Sequence, residues 1–250
     1  MRYIATITKV LLTAGLLLSL ACSDDDKNPV CATNPTDQPY DIVINPADFI
    51  DSNFTGNDFF PLSPGTTYVY EGEDEDGATI RVEDKVTSDT KVVMGVTCVV
   101  LLNKEWEDGS LIEETLDWYA QDVDGNAWYF GEASSDIEDG QVVSTAGSWE
   151  SGVDGALPGI IMFADPIPGV WYRQEYYEGE AEDVGQILSL STTVTVPYGT
   201  YTNCLQTAEW TPLEPGIVEH KFYAAGIGML KAEAVEGEFG YESLIDIQYD

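Results

Sequence analysis

Two stretches of this chain line up landmark by landmark, so the fold has to be one that can be laid down twice. The first runs Pro64-Gly65-Thr66-Thr67-Tyr68-Val69-Tyr70, Gly95-Val96-Thr97-Cys98, Lys104-Glu105-Trp106 and Trp118-Tyr119-Ala120. The second runs Pro168-Gly169-Val170-Trp171-Tyr172, Gly199-Thr200-Tyr201-Thr202-Asn203-Cys204, Ala208-Glu209-Trp210 and Phe222-Tyr223-Ala224. These landmarks define pseudo-repeats over about residues 59–132 and 163–235. Within each copy the pattern is that of strands. Thr79 to Val86 and Ser191 to Val196 are rich in β-branched residues with partial alternation. Asp76-Gly77, Asp108-Gly109, Asp124-Gly125-Asn126, Asp139-Gly140 and Tyr198-Gly199 supply the turns between them. Glu180 to Leu190 reads as a short helix or a strand. The expected fold class is all-β: an antiparallel meander in two pseudo-repeats that stack as a sandwich or form a strongly curved half-barrel.

The first residues read as an export leader. Arg2 and Lys9 precede an uncharged run, Val10 to Ala21, too short to cross about 30 Å of hydrocarbon. The run ends Leu18-Ser19-Leu20-Ala21-Cys22, which resembles a bacterial lipobox, so residues 1–21 are expected to be removed and Cys22 to be acylated. Residues 22–46, acidic at Asp24-Asp25-Asp26 and then polar and proline-rich, cannot bury enough apolar area to offset their ordering entropy and are expected to form a disordered tether. The acidic run resembles the surface-export signal of some outer-membrane lipoproteins, and it reads equally as a solvated spacer. Residues 47–250 are expected to form one all-β domain. The expected place is the bacterial outer membrane, lipid-anchored, on its periplasmic face or at the cell surface.

The whole chain carries 45 acidic and 10 basic residues, a formal charge of −35, and the leader would take Arg2 and Lys9 with it. Nucleic acid is thereby excluded as a partner, because phosphate binding relies on clustered Lys and Arg. Membrane attachment is left to the acyl chains. With Cys22 lipidated, Cys31, Cys98 and Cys204 remain. Cys98 and Cys204 hold matching places in the two copies, and a bridge between them would be worth up to about 4.7 kcal/mol; the alternative is two buried thiols.

Most catalytic classes lack their residues. His220 is the sole histidine, in the strand-like run Val218 to Tyr223, so a zinc hydrolase site or a serine triad has little to draw on, and no Gly-x-Ser-x-Gly elbow is present. There is no glycine-rich phosphate loop. A pair of carboxylates for glycoside hydrolysis remains open, but 45 acids always contain some pair, which makes none of them informative. Asp122, Asp124 and Asn126 set three oxygen side chains at alternate positions, as calcium loops begin. The glycine stands fourth and not sixth, and Ala133 occupies the twelfth place, so the same residues also read as a tight turn between aromatic strands. The aromatic residues, Trp118, Tyr119, Trp128 and Tyr129 among them, are expected to divide between core and surface, where a stripe could stack on sugars or grip a protein.

The runs Phe59 to Gly72 (with its Pro-Gly-Thr-Thr-Tyr), Asp117 to Phe130 (Asp-Trp-Tyr-Ala-Gln-Asp through Asn-Ala-Trp-Tyr-Phe), Gly147 to Ala156 and Pro197 to Cys204 resemble a family of exported bacterial proteins, over about residues 45–235. That resemblance implies an exported β-rich protein and brings no catalytic residue with it. The expected function is a non-enzymatic, lipid-anchored envelope or surface protein that binds or scaffolds a protein or carbohydrate partner, with no cofactor beyond a structural calcium. The alternative is a carbohydrate-active enzyme built on a carboxylate pair.

Overall fold

The computed structural model describes residues 33–36, 38–50 and 57–250. Cys22 and Cys31, with the leader and the start of the tether, lie outside the described residues. The strands are β1 (Thr66–Glu73), β2 (Thr79–Val93), β3 (Val96–Glu107), β4 (Ser110–Gln121), β5 (Ala127–Glu138), β6 (Gln141–Ser144), β7 (Trp149–Glu150), β8 (Leu157–Met162), β9 (Trp171–Arg173), β10 (Glu175–Tyr176), β11 (Val184–Val196), β12 (Gly199–Trp210), β13 (Val218–Ala224), β14 (Gly228–Glu236) and β15 (Tyr241–Tyr249). Residues 184–190, open between helix and strand on sequence alone, belong to β11. The hairpin turns have the backbone their residues dictate: Asp108 and Gly109, and Asp139 and Gly140, all take positive φ, the left-handed region that short hairpin loops require.

All 15 strands lie in one antiparallel sheet, in the order β10-β8-β5-β4-β3-β2-β1-β15-β14-β13-β12-β11-β9, with β6 and β7 also on β5. The architecture is therefore a single curved sheet, not a two-sheet sandwich, and it is not closed into a barrel. The two copies run through it in the same direction. β5 to β1 of the first are followed by β14 to β9 of the second, and β15 is wedged between them, pairing with β1 from Thr66↔Tyr249 to Glu73↔Tyr241. Gly72 makes that close pairing possible, because a Cβ there would sit 1.6 Å from the Tyr241 carbonyl oxygen.

Consecutive residues are buried where the sheet is covered on both faces, as in Val99-Val100-Leu101 of β3 and Trp128-Tyr129-Phe130 of β5. The main apolar cluster takes Val86, Val99, Leu101, Tyr172, Ile187, Leu205, Leu230 and Leu244 from strands across the whole sheet. Part of the cover comes from the segment before β1. Ile42, Ile44 and Phe49 pack on this cluster, and Phe49 meets Trp128 and Phe130 edge-on at ring separations of 5.9 and 5.4 Å. Residues 38–46, expected in the tether, thus lie against the sheet: Arg173 binds the backbone carbonyl of Gln38 and Tyr40 bonds to β8. Aromatic residues that could have formed an outer stripe are covered as well. Tyr129 and Trp149 are covered by Ala156, Ala181 and Tyr177 in a second, smaller cluster.

The two ends of the sheet are drawn together by one stretch of chain. β9 pairs with β11, and β10, which follows after Gln174, pairs with β8 at the other end. Gly159 of β8 lies so close that a Cβ would be 2.4 Å from the Gln174 carbonyl carbon and 2.5 Å from the Arg173 oxygen.

Candidate functional site

Every second residue of a strand points to the same face, and register decides which of them become neighbours. On the inner face of the first copy the rows are Tyr68-Asp84-Asn103-Thr115, then Tyr70-Val82-Glu105-Glu113, then Val86-Leu101-Asp117-Glu132. All of these except Val86, together with Tyr119, Lys221, Tyr223 and Glu242, line a cleft of about 360 Å³, with Leu62, Val82 and Leu101 as its apolar part. That size and mixture are typical of small-ligand sites.

The carboxyl groups in this cleft are crowded and poorly hydrated, which favours their neutral form. Burial pushes Asp84 up to about 6, although the Asn103 amide donates to it at 2.7 Å. Burial pushes Glu242 up to about 8, helped by the carboxylates of Asp84, Glu219 and Glu105 and opposed by Lys221. Glu105 is raised by burial and by its acidic neighbours Glu113 and Glu107.

A tyrosine hydroxyl joins two carboxyl groups at the end of the row holding Asp117. The Tyr129 hydroxyl lies 2.7 Å from Asp117 Oδ1 and 2.9 Å from Glu132 Oε2. A phenol has one proton to give, which it either shares between the two carboxylates or gives to one while an acid proton on the other is directed at the phenol oxygen. Burial and this crowding favour the neutral form of one of the two carboxyls. Burial raises Asp117 well above the usual carboxylate range and carries Glu132 to about 7, and the Tyr129 hydroxyl pulls both back. Gly131, at φ 127°, breaks the alternation of β5 so that Tyr129 and Glu132 reach the same side.

Lys221 is the only lysine or arginine in the cleft wall among the described residues. Its ammonium lies 3.1 Å from Glu209 and 3.2 Å from Glu219. Burial alone would depress its pKa, and the two carboxylates more than reverse that. Burial likewise works against the Glu209 carboxylate, but Lys221 and the Thr207 hydroxyl hold it below the ordinary value.

The residues singled out from sequence fall elsewhere. Asp122, Asp124 and Asn126 do come together, at the β4–β5 turn, but as a turn. Asp122 Oδ1 accepts from the Asp124 and Asn126 backbone amides at 3.0 and 2.8 Å, and Oδ2 accepts from Asn126 Nδ2 at 2.8 Å and Trp128 Nε1 at 2.9 Å. A calcium ion would have to displace these donors, which would leave them unsatisfied in a buried place. Asp122→Asn should therefore lower stability by about 2 kcal/mol, since the new amide would face the Asn126 and Trp128 donors with a donor of its own. Thermal melts of variant and parent, each with calcium and with chelator, measure this; a parent melt raised by calcium would reinstate the ion site.

Cys98 and Cys204 are both buried free thiols and are not bridged, which corrects the expected disulfide. The copies lie side by side in the same direction, so equivalent positions on β3 and β12 are separated by five strands of sheet instead of facing each other. His220, with Nδ1 3.1 Å from Gln206 Nε2, occupies the opposite face of β13 from Lys221 and takes no part in the cleft.

Sequence reasoning did not pick out Asp84, Glu105, Glu113, Glu132, Lys221 or Glu242. A usable sign was present only for Asp84, which breaks an otherwise apolar inward alternation between Val82 and Val86.

No family model and no curated protein matches the chain. Among solved structures, one described as an exported protein with a YmcC-like fold from Bacteroides fragilis is 15% identical, with 77% of this chain and 99% of that one covered and a TM-score of 0.42. Another, described as a lipoprotein from Parabacteroides distasonis, is 12% identical over the same shares, with a TM-score of 0.37.

Proposed function

We propose that this chain is an exported envelope protein, anchored through acyl chains on Cys22, that binds a small ligand in the cleft and does no chemistry on it. The observation that carries the binding reading is the cleft itself: about 360 Å³, walled by tyrosines and carboxyl groups and built mostly on paired strands. Most of the lining stands on rigid strands, where a preorganised site is best kept, and Phe60, Pro61 and Leu62 of the segment before β1 complete it. The leader, the lipobox-like Leu18 to Cys22 and the acidic residues that follow support export and anchoring, on the periplasmic face of the outer membrane or at the cell surface. The test has two parts. Radiolabelled palmitate should enter the parent protein and not Cys22→Ala. A thermal-shift screen of the chain from Ser23 onward should yield ligands whose stabilisation is lost in Asp84→Asn; a ligand at one hundred times its dissociation constant adds about 2.7 kcal/mol. Equal labelling of Cys22→Ala would remove the anchor, and ligands indifferent to every cleft substitution would remove the cleft.

A second reading, a carbohydrate-active enzyme, is favoured by the Asp117–Tyr129–Glu132 arrangement. A neutral acid beside an ionised carboxylate is what glycoside cleavage requires. Hydrolysis of aryl glycosides that is abolished by both Asp117→Asn and Glu132→Gln would establish it, and activity untouched by either would end it.

A further inference from the structure

The stretch that draws the two ends of the sheet together is fastened unequally. On the second-copy side Trp171, Tyr172 and Arg173 of β9 stand opposite Gln186, Gly185 and Val184 of β11. The Gln174 amide then donates to the Asp183 carbonyl oxygen at 2.8 Å, and Tyr177 bridges to Ala181. On the first-copy side β10 meets β8 at two positions, Glu175↔Pro158 and Tyr176↔Leu157. Pro158 has no N–H to give to that ladder, and its carbonyl oxygen takes the Tyr40 hydroxyl at 2.8 Å. Gly159 lets the backbones touch there without a side chain to interlock them. Whatever pushes the two ends apart will therefore open the β8–β10 seam and leave the stretch on β11.

The seam holds a group that can do so. The charged groups that bear on Glu175 of β10 are Asp183, just before β11, Glu132 of β5 and Asp117 of β4, all of them acids, and Tyr129 of β5 stands in its field. The Trp149 indole N–H of β7 turns toward it without reaching hydrogen-bonding distance of any acceptor. Those that bear on Asp183 are Lys221 of β13, Glu209 of β12 and Glu214 of the loop that follows. Lys221 is taken up by Glu209 and Glu219, and Arg173 by the carbonyl oxygens of Pro35, Thr36 and Gln38. Burial and the neighbouring carboxylates hold Glu175 well above the ordinary carboxylate range, so the closed seam keeps it protonated. Once ionised, it is better solvated by water than by these neighbours, and parting β10 from β8 admits water. Asp117 and Glu132 also line the cleft, and Glu175 stands behind them.

We propose that the β8–β10 seam is a pH-operated back door to the cleft, opened by ionisation of Glu175 and hinged on the pairing of β9 with β11. The door works whether or not the cleft is occupied, so its failure would leave the cleft standing as a ligand site. The closed form holds the proton more tightly than the open one, so the open population grows as pH rises.

The test is hydrogen exchange read by mass spectrometry on the chain from Ser23 onward, at pH 5.5 and pH 8.5, with each rate divided by the intrinsic rate at that pH. Over labelling times of minutes, peptides from β8 and β10 should exchange at least tenfold faster at the higher pH while β3 stays protected at both. Glu175→Gln, which cannot ionise, should exchange alike at the two pH values. Leu157→Cys with Tyr176→Cys, placed opposite each other in the seam in a chain that also carries Cys31→Ser, should lose the response when oxidised and recover it when reduced. Equal exchange of β8 and β10 at both pH values in the parent would overturn the door. A response that survives in Glu175→Gln would overturn it by assigning the loosening to other acids, and one that survives oxidation of the cysteine pair would place the opening elsewhere. Exchange of β3 accelerated as much as that of β8 would mean unfolding of the whole sheet, which overturns it as well.

Discussion

The protein from Ser23 onward is expected to melt highest near pH 5 and about 10 °C or more lower at pH 8.5. Most proteins lose stability toward acid because carboxylates paired in the native state must be protonated. Here the principal buried acids work the other way. Glu242, Glu132 and Asp84 have folded pKa values of about 8, 7 and 6, against ordinary values of 4.5, 4.5 and 3.8. Between those limits the folded chain holds protons that the unfolded chain has released, so stability is fully present below about pH 4 for these groups and is lost as pH rises through their folded values. One pKa unit corresponds to about 1.4 kcal/mol, so Glu242 alone contributes at most on the order of 5 kcal/mol. The groups interact and cannot simply be added, but a loss of several kcal/mol moves the melting temperature of a domain this size by 2–4 °C per kcal/mol, roughly. Glu209 sets the acid limit. Its carboxylate is held below the ordinary value, so the stability from its pairing with Lys221 disappears as pH falls through that depressed pKa. Glu242→Gln is the decisive variant. It should match the parent at pH 5, where both side chains are neutral, and melt several degrees above it at pH 8.5. A parent melt that is flat or rising from pH 5 to pH 8.5 would show that water reaches these carboxyls more freely than their burial implies.

This pH response has one cause. Carboxyls gathered on an inner face without enough cations either remain protonated or acquire a counter-charge. The chain fills part of that need with Lys221 and leaves the rest open.

How far this was legible in the sequence depended on how local the determining interactions are. Strand character came through in β2 and β11 because β-branched residues on a pleated surface leave a pattern within a few residues. The turns at Asp108-Gly109 and Asp139-Gly140 came through because short hairpin loops admit few residues at positive φ. Repeat landmarks such as Trp118-Tyr119-Ala120 and Phe222-Tyr223-Ala224 matched strands in equivalent positions, β4 and β13. What did not come through was the relation between copies. Symmetric placement suggested that Cys98 and Cys204 face each other, but β15 enters between β1 and β14 and the copies lie side by side. The cleft was illegible for a related reason. Glu105, Asp117 and Glu242 come from strands far apart in sequence, and in a chain with so many acids only register distinguishes an inward carboxyl from an outward one.

Arg173→Ala is expected to cost about 3 kcal/mol and to release the segment before β1 to proteolysis. Arg173 is buried on β9, beside the place where one stretch of chain pairs with both ends of the sheet. Its Nη2 donates to the carbonyl oxygens of Pro35, Thr36 and Gln38 at 2.8, 3.2 and 3.1 Å. Its guanidinium also lies over the rings of Tyr176 and Tyr40, 4.8 and 5.6 Å from their centres. The Tyr40 hydroxyl in turn donates to the Pro158 carbonyl oxygen at 2.8 Å. The segment is thus fastened to β9 by Arg173 and to β8 by Tyr40, across the gap between the two ends of the sheet. Hydrogen bonds from a charged donor are worth about 1.5–3 kcal/mol each, and their loss would strip three backbone carbonyls of their donor. Lysine should recover little of this, because a single ammonium cannot lie flat between two tyrosine rings while it bonds to three carbonyls. Tyr40→Phe, which removes one hydrogen bond, should cost about 1 kcal/mol. Melts should show Arg173→Ala lowered by roughly 10 °C, and brief digestion with proteinase K should cut it between residues 38 and 50 under conditions that leave the parent whole. A variant that melts within 2 °C of the parent, roughly, and resists digestion would show that Phe49, wedged against Trp128 and Phe130, holds the segment without the arginine. The distinction bears on anchoring: with acyl chains on Cys22, any pull from the membrane reaches the sheet through this segment, and the Arg173 contacts precede Phe49 along the chain.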